Sequence, residues 1–281
     1  VIPTVGRSSL LPVAVERAAA TGGTVVVVVD GDPGPGWSPP AGVTVVRTGA
    51  SLGYGGACNL GAGAVGGELL LFLNDDVLVG PDLLHHLEGQ LADPGVGAVT
   101  PDVWSVRLGR SEAGCTVRWR RGLLDTAQGP LRTTGQVGYP CGAAVALRRA
   151  VFEGLGGFDT LYAPGYWEDV DLGLTLARLG LATVAVAEAR VEHRHGASFP
   201  APGSPPVRRL YERNRLLASV KFAPAGAVPG VLAVAAARAA RHALRDRPAA
   251  SGAAAAMRRL GPALGARRRL RRLIRGWGGV G

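Results

Sequence analysis

Five consecutive valines at positions 25–29, preceded by Thr24, constrain the fold of this chain more than any other stretch. Side chains branched at Cβ fit a pleated backbone better than a helix. A run with no polar alternation describes a strand covered on both faces, as in parallel sheets flanked by helices. A second apolar run, Leu70-Leu71-Phe72-Leu73, ends in Asn74-Asp75-Asp76 before Val77-Leu78. Two unpaired carboxylates inside a buried strand would cost several kcal/mol, so they emerge at its carboxyl end, where open α/β sheets bind ligands. Side by side there, they offer hard oxygen ligands to a divalent cation, and the cation would attract a diphosphate. The other reading of Asp75-Asp76 is a cap on a helix starting near Pro81.

Around these runs the chain alternates strand and helix. Residues 1–3 end a first strand, and 8–20 form a helix with Ser8 or Ser9 as N-cap. Strands at 24–29, 43–47 and 68–73 follow, with a small-residue helix over 53–64. This βαβαβ order implies a parallel sheet with crossover helices. Further on, strands are expected at 96–100, 116–119 and 183–186, and a strand over 136–147 leads into a helix at 148–155. A helix covers 169–179, and 199–206 read as a Pro/Gly-rich linker. The chain opens inside its first strand without a signal peptide, so the reading is that some N-terminal residues are missing.

The 281 residues are 47% hydrophobic, enough for a sizeable core. Cys58, Cys115 and Cys141 are scattered without a Cys-x-x-Cys spacing, against a disulfide framework or zinc site and in keeping with a reducing, cytoplasmic compartment. Charge divides the chain at 206/207. From residue 207 onward there are 17 Lys+Arg against only Glu212 and Asp246, whereas residues 1–206 carry 14 bases and 19 acids. The expected organisation is a catalytic domain over 1–206 and a helical basic segment over 207–281. The asymmetry points to an anionic surface meeting the C-terminal segment and not to a nucleic-acid groove. Residues 223–237 are interrupted by Pro224 and Pro229 and fall short of the ~20 apolar residues of a spanning helix. An interfacial helix is expected instead over 258–277, with Leu260, Leu264, Leu270, Leu273, Ile274 and Trp277 opposite the arginines and lying on an anionic membrane at the inner face of the plasma membrane. The competing reading is a charged helix packed on its own domain.

Four segments suit binding and splitting a nucleotide-linked group. Thr4 and Arg7 follow the first strand, and Asp30 ends the second, where a carboxylate accepts a base N–H or simply caps a turn. Ser51-Leu52-Gly53-Tyr54-Gly55-Gly56-Ala57-Cys58-Asn59 allows close backbone approach at a helix N-terminus. In Tyr166-Trp167-Glu168-Asp169-Val170-Asp171 three acids sit where a helix dipole stabilises carboxylates. Asp171 reads first as a cap-region acid, whereas Glu168 and Asp169 can face a pocket, with an Asp serving as general base to a nearby hydroxyl. His193, in Glu192-His193-Arg194-His195-Gly196-Ala197-Ser198, is a candidate metal ligand or a polar loop residue.

Taken in order, Val-Ile-Pro-Thr with Gly-Arg, Asp30, Gly-Tyr-Gly-Gly-Ala-Cys-Asn, Phe-Leu-Asn-Asp-Asp, Gly-Gly-Phe-Asp, Trp-Glu-Asp-Val-Asp-Leu and His193-x-x-Gly-x-Ser resemble glycosyltransferase family 2 over about residues 1–222. The rhamnosyltransferase-like and galactofuranosyltransferase-like members are nearest in pattern. The resemblance implies a GT-A fold, an α/β architecture in which a Rossmann-like nucleotide-binding half joins an acceptor half on one mixed central sheet, here with a C-terminal helical basic extension. It implies inverting, metal-dependent transfer from a nucleotide-sugar to a glycan or lipid-linked acceptor, with Mn²⁺ or Mg²⁺. By position, Thr4, Arg7, Asp30, Gly55, Asn59 and Asp75 would bind the donor, and Asp76 and His193 the metal. Asp169 would be the catalytic base, and Trp167 and Glu168 would shape the pocket. The chain departs from the pattern in Gly31-Asp32-Pro33-Gly34-Pro35-Gly36 after the nucleoside Asp, in Ser51, and in Asn74 at the first acid of the Asp-x-Asp-type motif. The alternative is a catalytically silent nucleotide-sugar or membrane-surface binding protein.

Overall fold

The computed structural model describes residues 1–31, 38–195 and 203–279. The first half contains β1 (Ile2–Thr4), α1 (Leu11–Ala19), β2 (Val26–Val29), β3 (Thr44–Arg47), α2 (Gly53–Ala64), β4 (Leu69–Leu73) and β5 (Val77–Leu78). Then come α3 (Leu83–Leu91), β6 (Val96–Ser105), β7 (Arg110–Ser111), β8 (Thr116–Arg120), β9 (Leu123–Ala127), β10 (Gly135–Val137), β11 (Ala144–Arg148), α4 (Arg149–Leu155), α5 (Glu168–Arg178) and β12 (Ala182–His193). The C-terminal helices are α6 (Pro205–Phe222), α7 (Val228–Arg245), α8 (Arg247–Arg258) and α9 (Leu260–Gly276).

β1, β2 and β3 pair in parallel, with Val27 of the valine run between Ile2 and Val45. All of Val25–Val29 is buried, each side chain contributing about 1.5–3 kcal/mol. On the other side of β1, Leu73 donates its N–H to the Val1 carbonyl at 3.0 Å. This continues the layer into β4, which pairs antiparallel with β11, and then through β6 and β12 to β10. The sheet is therefore mixed, as the resemblance implied, with β1, β2 and β3 parallel as the βαβαβ order implied. Crossing from β3 to β4, the chain passes over β2 and β1 and reverses the strand order. A ligand crevice opens at such a switch point, beyond the carboxyl ends of β1 and β4. Thr4, Asp75 and Asp76 stand there.

Several local expectations shift. Residues 136–147 do not make one strand, because the chain leaves β10 after Val137 and enters β11, in a different part of the sheet, at Ala144. Ser8 does not cap α1, which has Leu10 at that position; its hydroxyl accepts the Leu10 N–H and donates to the Asp75 carbonyl. Asp75-Asp76 caps no helix either, since β5 intervenes and Asp82 is the N-cap residue of α3. Residues 32–36, the first half of the 199–206 linker, and Gly196 and Ser198 of the His motif lie outside the described residues.

The C-terminal helices complete the core. Leu216, Leu217, Val220 and Phe222 of α6 belong to the same buried cluster as Val27, Leu73 and Val99. In the basic segment, Leu270 is buried and Leu260, Leu264 and Ile274 pack against that cluster. This corrects the interfacial-helix expectation: the apolar face covers the protein's own core. The arginines at 258, 268, 269, 271, 272 and 275 remain exposed.

Candidate active site

A cleft of ≈ 870 Å³ runs from the carboxyl ends of β1 and β4 to the flanks of α6 and α7. Asp75, Asp76 and His193 line one part of it, and Trp167, Glu168 and Asp169 another. Strand register explains the first group. β12 pairs antiparallel with β5 so that His193 stands opposite Val77, which delivers the imidazole beside Asp76. His193 Nε2 lies 3.5 Å from Asp76 Oδ1. Asp75 is fixed by the Thr4 hydroxyl, which donates to its carboxylate at 2.5 Å. Thr4 thus works as a brace for Asp75 and does not itself line the cleft.

Two further side chains join this end. His193 Nδ1 is 3.4 Å from Glu112 Oε2, and His195 Nε2 is 3.2 Å from the same oxygen. The two imidazoles stack with centroids 3.8 Å apart. Burial opposes a charge on His193, but hydrogen bonds to Asp76 and Glu112 and the Asp76 charge push its pKa up to about 10. Glu112 is held below the usual carboxylate range: burial works against this, and the His193 hydrogen bond and the neighbouring histidines prevail. One ion meets only one nitrogen of a ring. Asp76 with His193 Nε2 forms one donor pair; on the other side, Glu112, His193 and His195 present ligand atoms all within 4.8 Å of one another. Donor atoms separated by 3.2–3.5 Å fit around an ion, given bonds of about 2.0–2.6 Å. The sequence reading missed Glu112, which sits in Ser111-Glu112-Ala113-Gly114 with no ligand spacing. His195 carried a usable signal, because His-x-His places two rings on one side of an extended segment.

At the other end, Asp169 Oδ2 accepts the Gly142 N–H at 3.2 Å and Oδ1 accepts the Val170 N–H at 2.8 Å. Gly142 is in turn held by the Tyr54 hydroxyl, which donates to its carbonyl at 2.8 Å. A Cβ on Gly142 would stand 2.9 Å from Asp169 Oδ2, so only glycine permits this approach. Burial lifts the Asp169 pKa to about 6, restrained by those backbone N–H groups. Burial, reinforced by the Asp169 charge, carries Glu168 to about 8. Burial thus raises both groups, and Asp169, with its backbone N–H donors, gives up its proton at lower pH than Glu168. Glu168 Oε2 and the Trp167 indole N–H are buried with no hydrogen-bond partner among the described residues. Such groups cost free energy until something pairs with them, and both residues line the cleft.

Other expected donor residues are engaged elsewhere. Both oxygens of Asp30 are filled, Oδ1 by Thr48 Oγ1 and Leu52 N–H, Oδ2 by Ser51 Oγ and Gly53 N–H. It holds the start of α2, as the capping alternative has it. A Cβ on Gly55 would meet Phe158 at 3.1 Å, so this glycine serves packing. Asn59 exchanges hydrogen bonds with the Phe158 backbone at 2.8 and 2.9 Å and secures the Gly-Gly-Phe-Asp turn. Arg7 is exposed and is not among the described residues that line the cleft. The glycine-rich turn reaches the site through Tyr54 instead. Asp171 is no simple cap-region acid, because its carboxylate turns inward to Lys221 Nζ at 2.8 Å and the Tyr162 hydroxyl at 2.6 Å.

Comparison with known proteins agrees with this layout. The family described as "Glycosyltransferase like family 2" matches over residues 6–205. The O-antigen biosynthesis protein RfbC of Myxococcus xanthus is 34% identical over 173 residues, covering 52% of this chain and 12% of that protein. The N-acetylglucosaminyl-diphospho-decaprenol L-rhamnosyltransferase of Mycobacterium tuberculosis is 32% identical over 185 residues, covering 56% of this chain and 60% of the relative. The chain thus matches less than two thirds of the length of either relative. Among solved structures, GalNAc-T7 with UDP, GalNAc and Mn²⁺ superimposes with a TM-score of 0.54 at 16% identity, covering 73% of this chain and 43% of that one. The mannosyltransferase PcManGT from Pyrobaculum calidifontis, in complex with GDP-Man and Mn²⁺, gives 0.51 at 18% identity, covering 97% and 83%. At these identities the structures speak for the fold alone, which is GT-A. With the ordered motifs on one mixed sheet and the family matched across most of its length, the chain belongs to glycosyltransferase family 2 and is rhamnosyltransferase-like in sequence.

Proposed function

We propose that the protein transfers a sugar from a nucleotide-sugar to a hydroxyl of a glycan or lipid-linked acceptor, with inversion at the anomeric carbon and with Mn²⁺ or Mg²⁺ as cofactor. The observation that carries this reading is the sharing of one cleft by Asp76 beside His193 and by an ionised Asp169. Asp169 takes the proton of the acceptor hydroxyl, whose oxygen bonds to the anomeric carbon as the bond to the diphosphate breaks and its electron pair leaves with the nucleotide. Glu168, protonated beside it, is a hydrogen-bond donor and not a second nucleophile, which supports a single displacement. The unpartnered Trp167 N–H offers the sugar another donor. A divalent cation held by Asp76 and His193 would offset the charge of the leaving diphosphate. The mixed carboxylate–imidazole set fits such an ion, and Glu112 on the second ring nitrogen of His193 would fix the imidazole orientation. The Mn²⁺ in the two solved neighbours supports this choice.

The relatives named for O-antigen synthesis and for rhamnosyl transfer to a diphospho-decaprenol support an envelope glycan acceptor and dTDP-rhamnose among the donors to try. Incubation with dTDP-rhamnose, UDP-sugars and GDP-sugars, with Mn²⁺ and a lipid-linked glycan extract, is expected to liberate free nucleotide from one donor; silence across all of them would sink the proposal. Metal binding has its own readout. Titration of Mn²⁺ followed by electron paramagnetic resonance is expected to show loss of the site in Asp76→Asn and His193→Ala, and weakening by about 10–100-fold in Glu112→Gln. Unchanged affinity in all three would place the ion elsewhere.

We also propose that residues 258–277 meet an anionic membrane, at the cytoplasmic face if the acceptor is lipid-linked. No helix among the described residues is long and apolar enough to cross a bilayer. Because Leu260, Leu264 and Leu270 of α9 face the core, contact would rest on the exposed arginines, each worth about 1 kcal/mol near an anionic surface. Co-sedimentation with phosphatidylserine-containing vesicles is expected at low salt and is expected to vanish at high salt or with neutral lipid. Equal binding to neutral vesicles would refute an electrostatic contact.

A further inference from the structure

Tyr166 and Trp167, the two residues before α5, both have left-handed backbones, with φ of 71° and 82°. Neither is glycine, and a bulky residue in this region costs on the order of 1 kcal/mol or more. The turn aims Glu168 and Asp169 into the cleft, so whatever sustains it sets the position of the proposed base. The supporting contacts come from the C-terminal segment. Asn214 of α6 is fully buried, and its Nδ2 amide faces the carbonyls of Tyr162, Gly165 and Tyr166 at 3.0, 2.9 and 2.7 Å. Arg213 Nε donates to Asn214 Oδ1 at 2.8 Å, which fixes the amide with its N–H groups toward the turn. The same guanidinium donates to the carbonyls of Tyr162 and Ala163 at 3.0 and 2.5 Å. Tyr211, one turn earlier on α6, packs edge-on against Trp167 with centroids 5.4 Å apart.

Carbonyl oxygens that converge repel one another unless a donor sits among them. The amide of Asn214 is that donor, reaching the carbonyls of Gly165 and Tyr166 as well as that of Tyr162. We infer that Asn214 is a positioning residue for catalysis: it holds the Tyr166-Trp167 turn left-handed and thereby places Asp169, with Arg213 locking its amide. The inference rests on the transferase reading above, and it makes α6 part of the catalytic apparatus and not merely the start of a basic appendage.

The test compares Asn214→Asp and Asn214→Ala with the native chain. Asn214→Asp keeps the shape but sets a carboxylate against three carbonyls. Displacement of a reacting group by about 1 Å costs about 100-fold in rate, so kcat for transfer is expected to fall by that order while donor KM changes by less than about two-fold. A merely structural role would lower the active fraction and the thermal midpoint without that split persisting once rates are normalised to folded protein. Arg213→Met, at a partly buried position, guards against failure of Asn214 variants to fold; it frees the amide to flip, and a kcat loss of at least several-fold at constant KM is expected. Crystallography of Asn214→Ala, or of Arg213→Met where that variant alone folds, supplies a readout without activity: the 166–167 peptides are expected to leave the left-handed region and the Asp169 carboxylate to move off Gly142. An unmoved turn, or native kcat in the folded variants, would overturn the role of Asn214. If the native chain shows no transfer while the turn relaxes as expected, the transferase reading fails and the positioning role of Asn214 for this turn stands.

Discussion

Replacing Asp169 by Asn is expected to lower transfer by about 10²–10⁴-fold and to leave nucleotide binding unchanged. The amide is isosteric, and its one oxygen can keep either the Gly142 or the Val170 N–H group, which two separate oxygens accept in the native chain, so the basicity goes together with one positioning hydrogen bond. In the proposed function nucleotide binding belongs to the Asp75–Asp76 end of the cleft, and it is measured separately by calorimetry. The native pH–rate profile supplies a second signature. Burial raises the Asp169 pKa, so the competent ionised base is lost as pH falls through about 6, and the rate is expected to drop on that limb. The residual rate of the Asn variant should show no such limb. Glu168→Gln provides the contrast. Because Glu168 already holds its proton up to about pH 8, Gln mimics its working form at neutral pH and the loss is expected to be small. The sign for stability follows from the same shift. A carboxyl whose folded pKa is raised favours the fold at low pH and disfavours it as pH climbs from its unfolded value through 8, so Glu168→Gln is expected to be the more stable protein in alkaline buffer. An Asp169→Asn enzyme within about ten-fold of native turnover would remove Asp169 from the role of base.

What could be read in advance divides along a physical line. The valine run, the apolar run ending in Asp75-Asp76 and the acids before α5 are local signals: burial and helix dipoles act within a few residues, and periodicity records them. The Asp76–His193 contact depends on the β5–β12 register, which joins residues more than a hundred positions apart; only the resemblance to a family suggested it. Glu112 joins the same cluster from the loop after β7 and had no such help. Asp30, Gly55 and Asn59 carry the opposite ambiguity. A strand-ending Asp and a glycine-rich turn look alike whether they hold a ligand or hold the start of a helix and a neighbouring Phe158. The mixed sheet was expected from the resemblance alone, because βαβαβ order fixes the direction of β1 to β4 but says nothing about β11, which arrives antiparallel from a distant segment. On α6, a buried Asn214 and Lys221 are indistinguishable in sequence from polar residues on a solvated face.

Lys221 is the position where a single substitution is expected to cost the most stability. It is the chain's only lysine against a background of arginines. It is 5% exposed, with Nζ 2.8 Å from an oxygen of Asp159 and 2.8 Å from one of Asp171. Arginine presents a planar fork, whereas this site encloses a compact ammonium between two carboxylates, a geometry the fork does not match. Burial opposes the charge on Lys221, but Asp171 and Asp159 overcome it and raise its pKa. Its contribution is therefore complete at neutral pH and is lost only as pH rises through that elevated value. Lys221→Met leaves the buried Asp171 without its cation and the partly buried Asp159 with only the exposed Arg269 at 3.5 Å, a defect expected to cost about 3–5 kcal/mol in urea unfolding at neutral pH. Lys221→Arg is expected to fall between Met and native. In the Met variant both acids can recover by taking up protons, so the deficit should narrow as pH falls toward the ordinary Asp range near about 4. Removing the charges together, in Lys221→Met with Asp159→Asn and Asp171→Asn, should restore part of the loss, because no unpaired ion then remains in the interior. A Lys221→Met protein less than about 1 kcal/mol below native would mean that water reaches these carboxylates and screens them. The cluster would then not be what ties α6 to the first turn of α5, two residues from Asp169.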